Sequence, residues 1–130
     1  MDKNILLQDL EKAICQFEKA MTTPTDDDVM KAGCIQYFEF SFELAWKTVK
    51  QIANDQGVQD CNSPKSSLKY AFKNGWLDDE DTWLDMLASR NRMSHTYSAS
   101  SALAVYDKLP RFVETLKQLK QSLKKLSDYA

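Results

Sequence analysis

A chain of 130 residues, 43% of them hydrophobic, is long enough to bury a core of its own, and the expectation is a single helical-bundle domain over residues 1–130. A formal net charge of −2 argues against a protein that coats duplex DNA, but not against a local basic site. Three glycines and three prolines leave little material for β-turns, so the fold class to expect is all-α.

The first helix is predicted from about Asn4 to Met21. Leu6, Leu10, Ala13, Phe17 and Ala20 recur at helical spacing, with Ile14 and Met21 widening the stripe. Thr22-Thr23-Pro24-Thr25 breaks it. The second helix begins near Asp26, with Thr25 as its expected cap and three aspartates at the positive end of the dipole. It continues to about Asp55 and stops before Gly57. Ile35, Phe38, Phe42, Ala45, Val49 and Ile52 form one apolar seam, and Tyr37, Phe40, Leu44 and Thr48 a second. A helix apolar on two sides is buried on two sides. It belongs at the centre of the fold, or between the core and another subunit. Its polar stripe is Gln36, Glu39, Glu43, Lys47 and Lys50.

Ser63-Pro64 announces a short third helix, Pro64 to about Lys73, with Leu68, Ala71 and Phe72 inward. Asn74-Gly75 closes it as a left-handed C-cap requires. The fourth helix starts near Asp78, with Trp83, Leu84, Leu87 and Ala88 as its apolar side, and frays by Thr96. A fifth helix is expected from about Ser101 to Asp128, kinked or split near Asp107 by Pro110. Its outer face carries Lys108, Arg111, Lys117, Lys120, Lys124 and Lys125. Such a run is usually a solvated face, and contact with RNA is the functional alternative. The four longer helices make an antiparallel up-and-down four-helix bundle, with the third as a short accessory helix.

Cys15, Cys34 and Cys61 are far apart and read as reduced thiols. With one histidine and no cysteine pair, no metal site and no cofactor is expected. The N-terminus opens an amphipathic segment rather than a signal peptide, and no apolar run is long enough for a bilayer, so the expected location is the cytoplasm.

The chemistry concentrates in Arg90-Asn91-Arg92-Met93-Ser94-His95-Thr96-Tyr97. The run holds the single histidine and two of the three arginines, in the pattern R-x4-H-x-Y. Histidine exchanges a proton near neutral pH. Arginine offers a planar, permanently charged fork that suits phosphate oxygens. Together they are the minimum kit for metal-free RNA cleavage: a base for the 2′-hydroxyl, an acid for the leaving oxygen, and positive charge on the phosphate. On residue types alone, a surface histidine with Arg90 in a structural salt bridge explains the run as well. Arg90 continues the stripe of Trp83 and Leu87. An unpaired guanidinium there would cost several kcal/mol, so Glu39 or Glu43 should pair with it.

With these elements placed, the chain resembles the nucleotidyltransferase substrate-binding protein family, which includes HepT-like toxins of the wider HEPN group. The segment Tyr37-Phe38-Glu39-Phe40-Ser41-Phe42-Glu43-Leu44-Ala45-Trp46-Lys47-Thr48 resembles the family's second-helix signature. Ser63-Pro64, Ala71-Phe72 and Gly75-Trp76 are similar to its middle segment, and Arg90-Asn91 with His95-Thr96-Tyr97 to its R-x4-H-x-Y motif.

The resemblance implies a homodimer with two motif copies facing each other. It implies Arg90 and His95 as catalytic residues in metal-independent cleavage of single-stranded RNA. Asn91, Arg92 and Glu43 would bind or support the RNA or nucleotide. It further implies a minimal nucleotidyltransferase as antitoxin partner, attaching AMP to Tyr97. A non-catalytic subunit that binds substrate or nucleotide for that partner is the alternative. Glu39, Glu43 and Trp46 read as core and dimer scaffold, with Glu43 also able to orient Arg90.

Overall fold

The computed structural model describes residues 2–93 and 99–128. Every element among them is helical: α1 (Lys3–Ala20), α2 (Asp28–Asp55), α3 (Pro64–Lys73), α4 (Glu80–Met93), α5 (Ala99–Leu103), a 3-10 turn (Ala104–Lys108) and α6 (Leu109–Asp128). The expected all-α bundle is what the chain forms. The four long helices α1, α2, α4 and α6 build it, and α3 packs against α2 and α4.

Local chemistry sets the ends of these helices. The Asp2 carboxylate accepts from the Asn4 N–H at 2.7 Å and caps α1. For α2 the cap is Asp27, not Thr25: its carboxylate accepts from the Met30 N–H at 3.0 Å. Thr25 sits two residues upstream, where its hydroxyl accepts from the Asp27 N–H. Ser63 and Ser66 form a capping box at the start of α3, with Pro64 in the first turn. Gly75 takes φ +76° behind α3, and the Trp76 N–H reaches back to the Ala71 carbonyl at 2.9 Å. Asp79 opens α4, accepting from both the Thr82 N–H and its hydroxyl. Those two bonds hold its carboxyl below the usual range.

The core is one cluster centred on α2. Phe38 and Phe42 are fully buried, and Phe38 meets Phe17, Phe42 and Phe112 at ring-centroid distances of 6.5, 6.0 and 5.0 Å. Trp83 brings α4 into this cluster, 6.3 Å from Phe42. The first seam of α2 is inside throughout. The second is not: Thr48 is buried, but Phe40 is 49% exposed.

One expectation on the later helices needs correction. Leu84 is 50% exposed and Ala88 is exposed, while Met86, Thr82 and Ser89 are buried with Trp83. The inner face of α4 is therefore turned by part of a helical step from the predicted one. The long fifth helix is divided, as Pro110 demands: α5 and the 3-10 turn precede α6, and Pro110 lies in the first turn of α6, where its missing N–H costs nothing. Cys15 is exposed, Cys34 and Cys61 are buried, and all three are free thiols. Burial raises the pKa of Cys34. No helix among the described residues is long and apolar enough to cross a membrane.

Candidate functional site

Arg90 lies in the last turn of α4 and reaches across to α2. Its Nε donates to Glu43 Oε1 at 2.8 Å, and its Nη1 donates to Asn91 Oδ1 at 3.2 Å. Of the two carboxylates that the sequence offered, packing selects Glu43. The arginine and glutamate side chains are 32% and 31% exposed, so this is a boundary pair, neither solvated nor sealed.

Glu43 is held from a second direction. Its Oε2 accepts from the Trp46 indole N–H at 2.9 Å. With one oxygen on the indole and the other on the guanidinium, the carboxylate has little freedom to turn. Trp46 is 9% exposed, so the brace is itself set in the core. Sequence alone marks Trp46 as scaffold and does not show this bond. The i,i+3 spacing of Glu43 and Trp46 was the available signal.

Glu39, one turn before Glu43 on the same face of α2, is half-buried. Burial pushes its carboxyl pKa up, the Glu43 charge adds to the rise, and Arg90 opposes it. Arg90, Glu43, Asn91 and Glu39 thus make one electrostatic cluster between α2 and α4. Arg92 is exposed. Two residues along a helix turn it about 200° from Arg90, so the fold does not bring it into that cluster. His95 and Tyr97 lie outside the described residues.

The basic face of α6 is less available than its sequence implies. Lys108 and Arg111 both pair with Asp85 of α4. Lys117 pairs with Glu18 of α1 and Lys124 with Glu11 at 3.4 Å. The Glu18 carboxylate raises the Lys117 pKa and is itself held low by the lysine. These pairs tie α6 to its neighbours, and the sequence reading did not foresee them.

The described residues thus form an all-helical bundle in which a carboxylate of the central helix holds an arginine at the end of another. The chain belongs to the nucleotidyltransferase substrate binding protein-like family, whose model matches residues 6–125. It is similar to a Haemophilus influenzae protein named probable ribonuclease HepT, 30% identical over 106 residues that cover 78% of this chain and 73% of that one. Among solved structures it resembles a Thermus thermophilus protein, with a TM-score of 0.74 and 28% identity over 85% of this chain and 94% of the other. It also resembles a Haemophilus influenzae protein described as having the fold of a substrate binding domain of a nucleotidyltransferase. There the TM-score is 0.67 and the identity 28%, over 95% of this chain and 99% of that one.

Proposed function

We propose that this protein is a HepT-like ribonuclease toxin that cleaves single-stranded RNA without a metal ion, and that a partner minimal nucleotidyltransferase restrains it as antitoxin. The observation that carries the reading is the Arg90 guanidinium, held at 2.8 Å by Glu43 and still one-third exposed, five residues before the single histidine. Family membership and the similarity to a protein named as a probable ribonuclease support it.

In this reading His95 takes the proton from a ribose 2′-hydroxyl. The 2′-oxygen attacks the adjacent phosphorus, and the bond from phosphorus to the 5′-oxygen breaks. The leaving oxygen collects a proton from a second acid. The products are a 2′,3′-cyclic phosphate and a 5′-hydroxyl end. Arg90, with Asn91 beside it, steadies the charge that builds on the phosphate. One histidine cannot easily be base and acid within a single turnover, so a homodimer in which the two copies share those roles is part of the proposal. AMP on Tyr97 would place bulk and negative charge beside the phosphate site and exclude RNA.

The test is cleavage of single-stranded RNA by the purified protein in the presence of a chelator. His95→Ala abolishes cleavage and leaves the far-ultraviolet circular dichroism unchanged. Activity that persists in that variant, or that disappears on chelation, would falsify the mechanism. Incubation with a minimal nucleotidyltransferase partner and ATP should add the mass of AMP to the peptide that contains Tyr97.

The second reading is a non-catalytic subunit that binds substrate or nucleotide for the same partner, favoured by the family's description. Nucleotide binding by calorimetry that depends on Arg90, with no cleavage of any RNA, selects it.

A further inference from the structure

Between α1 and α2 runs an open groove of about 460 Å3, in the size range of small-ligand sites. Ala13, Phe40 and Leu44 line it together with Lys12 and Lys47. Glu43, the carboxylate that holds Arg90, lines it as well. The groove and the Arg90–Glu43 pair therefore share one residue.

A single exposed phenylalanine needs no explanation. Phe40 is different in its setting. It is 49% exposed, and Tyr37 packs against it in a T-shaped pair, with centroids 6.4 Å apart and rings at 80°. That contact fixes the ring on the helix surface, in a groove that Lys12 and Lys47 also line, with the Lys47 ammonium 5.9 Å from the Trp46 ring centroid. Neither Lys12 nor Lys47 is in an ion pair among the described residues, unlike Lys108 of the 3-10 turn and Arg111, Lys117 and Lys124 of α6. Two acidic side chains, Asp9 and Glu43, also line the groove, and Glu43 is the one paired with Arg90.

An aromatic ring held at the surface of a groove that lysines also line is the chemistry that binds a base and its backbone in single-stranded nucleic acid. Phe40 and Glu43 are three residues apart on α2, so their Cβ atoms are about 5–6 Å from each other. That is within the span of one nucleotide. We propose that the α1–α2 groove is the base subsite of the ribonuclease, in which Phe40 stacks the nucleobase next to the cleaved phosphate while Lys12 and Lys47 hold the flanking backbone. The proposal rests on the ribonuclease reading, and it adds to that reading a substrate-binding surface away from the R-x4-H-x-Y run.

Binding can be separated from cleavage with a fluorescein-labelled 2′-O-methyl RNA, which lacks the attacking hydroxyl. Fluorescence anisotropy should show Phe40→Ala binding roughly 5- to 100-fold more weakly, the range expected for loss of one stacked base. Phe40→Trp should bind like the wild type, with its fluorescence quenched by the base. Lys12→Gln with Lys47→Gln should lower the salt slope of binding by about 1.4, two phosphate contacts on a single strand. These lysines are exposed, so that variant tests the groove without touching the core.

The groove proposal is overturned if wild-type protein cleaves RNA while Phe40→Ala binds the probe as tightly as wild type. It is overturned equally if Phe40→Ala changes the molecular mass by light scattering, since the ring would then be part of a protein interface. If wild-type protein neither binds nor cleaves RNA, the ribonuclease reading falls and the base subsite falls with it.

Discussion

Glu43 Oε1 and Arg90 Nε, 47 residues apart in the chain, lie 2.8 Å apart and join the middle of α2 to the end of α4. The bond uses the inner nitrogen of the guanidinium, so it fixes the direction of the whole planar group. Arg90→Lys keeps the charge and loses that geometry. It should reduce RNA cleavage by roughly a hundredfold, the scale of a 1 Å misplacement. Glu43→Gln should reduce kcat by a similar factor while costing no more than about 1 kcal/mol of stability, because the pair is one-third exposed. Single-turnover cleavage beside urea denaturation separates the two effects. Equal losses in both variants of stability rather than rate would make the pair purely structural.

The acidity of Glu39 gives a signed prediction. Burial raises its pKa first, and Glu43 raises it further. The folded state therefore prefers the protonated carboxyl. Its contribution to stability is present below the ordinary value of 4.5 and is lost as pH rises through the raised one. At neutral pH an ionised Glu39 is a burden, so Glu39→Gln should be more stable than wild type. The gap should close as the solution is acidified through the carboxylate range. Removing Arg90, which opposes the shift, should raise the Glu39 pKa further, as seen in its side-chain carbonyl signal by NMR. A gap that widens in acid contradicts the sign.

Much of this site could be read from the residues, and the part that could not has a physical reason. Caps and breakers are local, so Ser63-Pro64, Asn74-Gly75 and Pro110 marked the ends of helices correctly. The need for a carboxylate at Arg90 was also local, since a guanidinium on an apolar stripe must be met. Which of Glu39 and Glu43 meets it depends on how α4 crosses α2, and sequence does not encode that angle directly. The rotation of α4 failed for a related reason. Trp83, Leu84, Met86 and Leu87 share a broad arc of about 160° of the helix, so periodicity alone does not say which of them point inward. Packing turned Trp83 and Met86 in and left Leu84 half out. The lysines of α6 looked like a free basic face because their acidic partners, Glu11, Glu18 and Asp85, come from α1 and α4.

Asp85 is the point at which those charges matter most. It serves two cations at once, Lys108 at 2.8 Å and Arg111, and its side chain is 25% exposed. Asp85→Asn leaves the two cations to repel each other across the junction of α4, the 3-10 turn and α6. The expected loss is about 1 kcal/mol at low ionic strength. The difference from wild type should nearly vanish at about 1 M salt, where the Debye length falls to about 3 Å. Thermal melts at two salt concentrations are sufficient. A loss that ignores salt means that Asp85 acts through packing or hydrogen-bond shape instead.

The core itself rests on Phe38. It is fully buried and contacts phenylalanines of α1, α2 and α6, so three helices depend on one ring. Phe38→Ala should cost about 3–5 kcal/mol through lost burial and the cavity left behind. Against a total stability of about 5–15 kcal/mol, that brings the bundle near its unfolding threshold. Phe38→Leu fills most of the space and should cost markedly less. In urea the midpoint should drop for both variants with an unchanged slope, since the area exposed on unfolding is nearly the same. Because α2 carries Phe38, Phe40 and Glu43 within two turns, the alanine variant should also loosen Arg90 and lower cleavage before the protein unfolds. A Phe38→Ala protein with native midpoint and native rate would mean that α2 is not the element on which the bundle and its site are built.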